Sequence, residues 1–147
     1  MDCIFCKIIK GDIDSAKIWE NKDFLAILDV NPNTKGMTLV LTKKHYDSYA
    51  FKMPKGIYQK FMLASQKVAK ILEKGLKVKR VAMVMEGMGV NHAHLKLYPL
   101  FGLNKEFKQP KKRIFFKNYQ GYISTQLGPQ ADLKKLKKIA KKLKSFV

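Results

Sequence analysis

Residues 92–99 read His92-Ala93-His94-Leu95-Lys96-Leu97-Tyr98-Pro99. Side chains alternate faces along an extended strand, so His92, His94, Lys96 and Tyr98 share one side while Ala93, Leu95 and Leu97 point the other way, toward a core. Two imidazoles and an ammonium then line one surface, with about 7 Å between alternate residues. The chain has only 3 histidines, and two of them stand here beside a lysine, preceded by the glycine-rich turn Glu86-Gly87-Met88-Gly89. Glycines in such a turn permit a tight reversal or close backbone approach to a ligand. The grouping predicts a chemical site rather than two isolated core histidines.

Upstream, Arg80 to Met85 reads as a strand leading into that glycine turn. Pro54 suits the first turn of a helix running to about Lys74, because Ile57, Phe61, Ala64, Val68, Ile71 and Leu72 recur at helical spacing. Gly75 is expected to stop it. Earlier still, apolar stretches from Ile18 to Leu28 flank Asn21-Lys22-Asp23 and predict a β-hairpin, with Asp29 just past its second strand. After the turn residues Asn31-Pro32-Asn33 and Gly36, Met37 to Thr42 is β-prone, which puts His45 at a strand end.

The chain of 147 residues, 46% hydrophobic and 28% charged, is expected to fold as a single soluble core. No apolar run approaches the roughly 20 residues that span a bilayer, and no signal peptide is evident, so a cytoplasmic location is expected, with no membrane partner. In that reducing setting Cys3 and Cys6, two residues apart, are read as a metal site, a redox pair or an unmetallated remnant. The net charge is +19, and residues 101–147 hold 13 Lys and Arg against 2 Asp and Glu, so most of the excess lies there. Within this basic extension, Ala131 to Phe146 reads as an amphipathic helix with Leu133, Leu136, Ile139, Ala140 and Leu143 on one face. It is expected to pack on or beside the core, although a lysine-coated helix also leaves contact with RNA or anionic lipid open.

The 92–99 segment resembles the motif of the histidine triad (HIT) superfamily, His-x-His-x-His-x-x often closed by proline, with Lys96 in place of the third histidine. Three further stretches are similar to the family and occur in its order. They are Cys3-Ile4-Phe5-Cys6-Lys7-Ile8-Ile9 with Gly11-Asp12-Ile13, then Leu25-Ala26-Ile27-Leu28-Asp29-Val30, and Leu39-Val40-Leu41-Thr42-Lys43-Lys44-His45. The resemblance covers residues 3–100 and implies a domain of residues 1–100 followed by the basic extension. It implies an α+β fold, an antiparallel sheet with a main helix, in a homodimer joined through the sheets.

For chemistry, the resemblance implies a hydrolase or nucleotidyltransferase acting at the α-phosphate of purine nucleotide derivatives: phosphoramidates, dinucleoside polyphosphates or adenylylated molecules. His94 would attack phosphorus and form a nucleotidyl-imidazole intermediate. Lys96 would offer a positive donor to phosphate oxygens, without a histidine's acid/base behaviour. The glutamine and serine that hydrolase members carry just before the motif are missing, with Met88 and Gly89 nearby, so backbone amides around Gly87 to Val90 would supply oxyanion contacts. Cys3, Cys6, His45 and His92 would bind a structural zinc ion. Phe5, Ile8, Ile13 and Val30 would surround the base and Asp29 would hold the ribose hydroxyls, with Asn31, Asn33 and Gly89 as further contacts. Core packing is an equal reading for Phe5 and Ile8, and turn formation for Asn31 and Asn33. The alternatives are a catalytically weakened nucleotide-binding or sensing protein, suggested by Lys96, and an RNA-associated protein, suggested by the basic tail.

Overall fold

A computed structural model describes residues 3–103, 111–118, 123–124 and 129–133. The chain divides into two compact units, residues 1–106 and 107–147. The expected amphipathic helix falls in the second and, past Leu133, lies outside the described residues. In the first unit the order is α1 (Ile4–Lys10), β1 (Lys17–Glu20), β2 (Phe24–Leu28), β3 (Thr38–Thr42), a 3-10 turn at Ala50–Lys52, α2 (Lys55–Leu76), β4 (Val81–Val84) and β5 (His94–Pro99). The strands form one sheet in the order β1-β2-β3-β5-β4, every neighbouring pair antiparallel. The expected α+β architecture is present. Among the described residues no helix is long and apolar enough to cross a membrane.

The expected hairpin is β1–β2, and Asn21 makes its turn: the side-chain oxygen accepts hydrogen bonds from the Asp23 and Phe24 amides at 2.9 and 2.8 Å. Such a local side-chain acceptor stabilises a reversal without glycine. β2, β3 and β5 are nearly all buried, which explains their continuous apolar reading: the sheet is covered on both faces. On one face Phe24, Ala26, Val40, Ala93, Leu95 and Leu97 pack with Phe61, Ala64, Val68 and Leu72 of α2. On the other, Leu25, Ile27, Leu39 and Leu41 pack with Cys3, Phe5 and Ile8 of the amino-terminal segment.

Two helix readings need correction. α2 passes through Gly75 and ends at Leu76, with Lys77 in the left-handed region at φ 55°. Leu76 packs against the core, and its burial outweighs the roughly 1 kcal/mol that an interior glycine costs. Ile71, expected on the buried face, is 39% exposed, whereas Ser65 is fully buried and donates to the Phe61 carbonyl at 2.9 Å. The second finding is α1 itself, which the sequence reading left without secondary structure. Gly11 closes it in the left-handed conformation at φ 89°, the usual way a helix of any length is stopped.

Candidate active site and metal cluster

α1 exists where it does because its apolar side, Phe5 and Ile8, packs on Leu25 and Ile27 of β2 and Leu39 and Leu41 of β3. That docking carries Cys3 and Cys6 under the loop leading into β5. His92 is fully buried there. Its Nδ1 lies 3.4 Å from the Cys3 sulfur and 3.5 Å from the Cys6 sulfur, and His45 Nδ1 lies 3.4 Å from the Cys6 sulfur. All four ligand atoms fall within 4.8 Å of one another. Across a tetrahedral zinc ion a thiolate and an imidazole nitrogen stand about 3.6 Å apart, so the cluster has the dimensions and the donor types that such an ion requires. The two thiols are free rather than joined.

The protonation chemistry points the same way. Thr42 offers its backbone carbonyl to His92 Nε2 at 2.7 Å; a carbonyl only accepts, so Nε2 carries the proton and Nδ1 presents its lone pair to the sulfurs. Burial pushes the His92 pKa below the ordinary histidine value, partly opposed by the Thr42 hydrogen bond and reinforced by His45 and His94. Burial pushes the Cys6 thiol up, and Cys3 raises it further by hydrogen bonding and by charge, against the lowering pull of Lys10 and the amino terminus. A divalent cation would reverse that repulsion between sulfurs.

His94 opens β5 and is 3% exposed. Its Nδ1–H donates to the backbone carbonyl of His92 at 2.7 Å, which fixes the tautomer with the free lone pair on Nε2. Phe5 meets the His94 ring edge-on at 5.3 Å and the His92 ring at 5.8 Å. One α1 side chain therefore braces both imidazoles. The alternation read from the sequence holds through residue 92, since Ala93, Leu95 and Leu97 are in the opposite core, although the ladder itself starts only at His94.

Lys96, the next residue on the His94 face, donates its ammonium to the Glu86 carboxylate. The pair is well shielded, with side chains 25% and 9% exposed. Glu86 was absent from the sequence-based site. The signal lay in the register: Val84 stands opposite Lys96 across the β4–β5 ladder, so an acidic residue two positions beyond Val84 emerges on the same face. Tyr98 continues this face. Burial raises its hydroxyl pKa, Lys96 opposes that, and the Glu86 and Asp29 carboxylates add to it, which puts Asp29 within electrostatic reach of Tyr98. Thr42, which orients His92, was also missed, because a backbone carbonyl leaves no trace in residue type.

The remaining expected contacts divide. Phe5 and Ile8 are both core residues at 8% exposure, and Phe5 in addition touches His94. Asp29 is half-buried, and one carboxylate oxygen accepts from the Asn31 amide at 2.8 Å. Asn31 thus serves in the turn through its backbone, and its side chain is exposed, as is that of Asn33. Ile13 and Val30 lie at the surface, 37% and 86% exposed. Gly89, at φ 87°, has open space where a Cβ would stand.

The sequence profile described as HIT domain matches residues 10–101. This chain belongs to the HIT family. A HIT-domain fold is also what its structural neighbours have. A protein of Streptococcus mutans superposes with a TM-score of 0.73 at 31% identity, covering 98% of this chain and 84% of that one. A zinc-bound histidine triad family protein of Mycobacterium smegmatis superposes with a TM-score of 0.65 at 28% identity, over 76% of this HIT-family chain and 85% of that one. Among relatives by sequence, an adenosine 5′-monophosphoramidase of Schizosaccharomyces pombe is 53% identical over 45 residues, 31% of this chain and 34% of that protein.

Proposed function

We propose that this HIT-family protein cleaves or transfers at the α-phosphate of purine nucleotide derivatives through a covalent nucleotidyl intermediate on His94. The observation that carries the reading is the 2.7 Å hydrogen bond from His94 Nδ1 to the His92 carbonyl. It leaves the Nε2 lone pair as an oriented nucleophile at the start of β5, and such a nitrogen both attacks phosphorus and departs from it. A fission yeast relative bears the name adenosine 5′-monophosphoramidase, which supports a nucleotide substrate. Phosphate oxygens would lie toward Lys96 and the amides of residues 87–90. The base would lie among Phe5, Ile8, Ile13 and the exposed Val30, with the ribose at Asp29, whose carboxylate is engaged on one oxygen only in the hydrogen bonds described.

Zinc is the proposed metal, held by Cys3, Cys6, His45 and His92, and its role is structural because four protein ligands complete a tetrahedron with no open position. Two reduced thiols in the ligand set agree with a cytoplasmic protein. A homodimer joined along the sheets and the basic extension as an addition to a domain of residues 1–100 complete the proposal.

The test is to incubate the protein with adenosine 5′-phosphoramidate and with diadenosine polyphosphates, trap the protein in acid-free denaturant, and measure its mass. An added nucleotidyl group on the wild type, absent from His94→Ala, is the expected result. Turnover that survives His94→Ala would sink the assignment.

A further inference from the structure

The Lys96–Glu86 pair lies on the His94 face, about 7 Å further along β5 than the proposed nucleophile. Resting on the reading of His94 as nucleophile, we propose that this pair makes the site selective for nucleotides whose leaving group departs as an anion, a mixed anhydride with a carboxylate or a phosphate, and against those whose leaving group must first take a proton.

The argument is one of charge balance. Lys96 has no lone pair while it is an ammonium, and its proton is held by a carboxylate whose side chain is 9% exposed. Giving that proton to a leaving group would strand Glu86 as a shielded, uncompensated anion, which is strongly unfavourable. The pair therefore stays charged and acts as a fixed dipole rather than a proton donor. The hydroxyl next along this face of β5, that of Tyr98, is made a weaker acid by burial and by Glu86 and Asp29, against Lys96. On His94, the Nδ1 proton is committed to the His92 carbonyl.

With an acyl adenylate the chemistry closes without a donor. The Nε2 lone pair forms a bond to the α-phosphorus, and the phosphorus–oxygen bond to the acyl group breaks, its electron pair leaving with the carboxylate. Water then attacks phosphorus, the phosphorus–nitrogen bond breaks with its electron pair returning to Nε2, and the water proton goes to solvent. With a phosphoramidate the nitrogen leaves only once protonated, and on the His94 face of β5 neither Lys96 nor Tyr98, among the described residues, is a ready donor for it. A positioned acid is worth about 10²–10⁴-fold in rate.

The measurement is the ratio of kcat/KM for adenosine 5′-phosphoramidate to that for acetyl adenylate, each corrected for the rate seen with His94→Ala. Lys96→His supplies a titratable donor, and Glu86→Gln removes the carboxylate that would be stranded. The ratio is expected to rise about 100-fold in Lys96→His and to rise, by less, in Glu86→Gln. A ratio unchanged or lowered in both variants overturns the proposal while leaving His94-dependent turnover standing. Absence of His94-dependent turnover with either substrate overturns it together with the reading on which it rests.

Discussion

The backbone carbonyl of His92 accepts the Nδ1 proton of His94 at 2.7 Å while the His92 ring faces both cysteine sulfurs. One residue thus joins the metal cluster to the tautomer of the proposed nucleophile. Anything that loosens the His92 ring also loosens the carbonyl that orients His94, because both belong to the short segment before β5.

A first prediction follows from that link. Cys3→Ser and Cys6→Ser are each expected to lose the zinc proposed for the cluster, read by elemental analysis. They are also expected to melt several degrees lower, since a ligand held only by the folded state stabilises it by RT ln(1 + L/Kd), with L the free ligand concentration. Their activity is expected to fall in kcat, because the His92 carbonyl that orients His94 belongs to a cluster residue. Variants that lose the metal yet keep the wild-type melting temperature and kcat would show that the cluster does not position His94.

The metal-free protein should lose stability on acidification. The folded His92 has a pKa below its ordinary value of 6.5, with burial as the main cause. The unfolded chain therefore binds more protons between the folded and unfolded values. Above the unfolded value both states are neutral and the contribution to the slope vanishes; as pH falls from there toward the folded value, stability drops. Urea unfolding of chelator-treated protein between pH 8 and pH 5 is expected to give midpoints that are level at the top of this range and decline below about pH 6.5.

Phe5 is the third test, since it is 8% exposed and contacts both imidazoles. Phe5→Ala is expected to destabilise by about 3 kcal/mol from lost burial and the cavity it leaves. It should lower kcat as well, by freeing the His94 ring. Phe5→Leu restores most of the volume but not the edge-on ring contact, so it is expected to recover stability more fully than rate. Denaturant unfolding and steady-state kinetics on the pair separate the two contributions, and equal recovery of both would remove the ring contact from the argument.

How much of this was legible beforehand differs by element. The alternation around His94 and the helical spacing of Phe61, Ala64, Val68 and Leu72 were readable because burial imposes a period on the sequence. The Cys3, Cys6, His45 and His92 set came from the family resemblance, and the structure brings all four together. α1 was not readable: seven residues hold only two turns, too few for periodicity, and no side chain caps its start. Gly75 misled because glycine marks a helix end only where φ must be positive, and here Lys77 takes that conformation instead. Glu86 was hidden because its significance comes from pairing across β4 and β5, a relation fixed by register rather than by local sequence.

The last prediction concerns the clip between the His45 and His92 loops. Ser48 donates its hydroxyl to the Gly87 carbonyl at 2.7 Å and its backbone amide to the Asn91 side-chain oxygen at 2.9 Å. Gly87 has φ 71°, and a Cβ there would lie 2.5 Å from the Ser48 carbonyl oxygen, so Gly87→Ala must move backbone rather than a flexible side chain. Its cost is expected to be about 1–3 kcal/mol, with weaker zinc binding because Ser48 follows His45 by three residues and Asn91 precedes His92. Ser48→Ala removes one hydrogen bond without a clash and should cost about 1 kcal/mol, leaving zinc affinity nearer the wild type. Competition with a chromophoric chelator measures the affinities. If Gly87→Ala held zinc as tightly as Ser48→Ala, the two loops would be shown to carry their histidines independently of this clip.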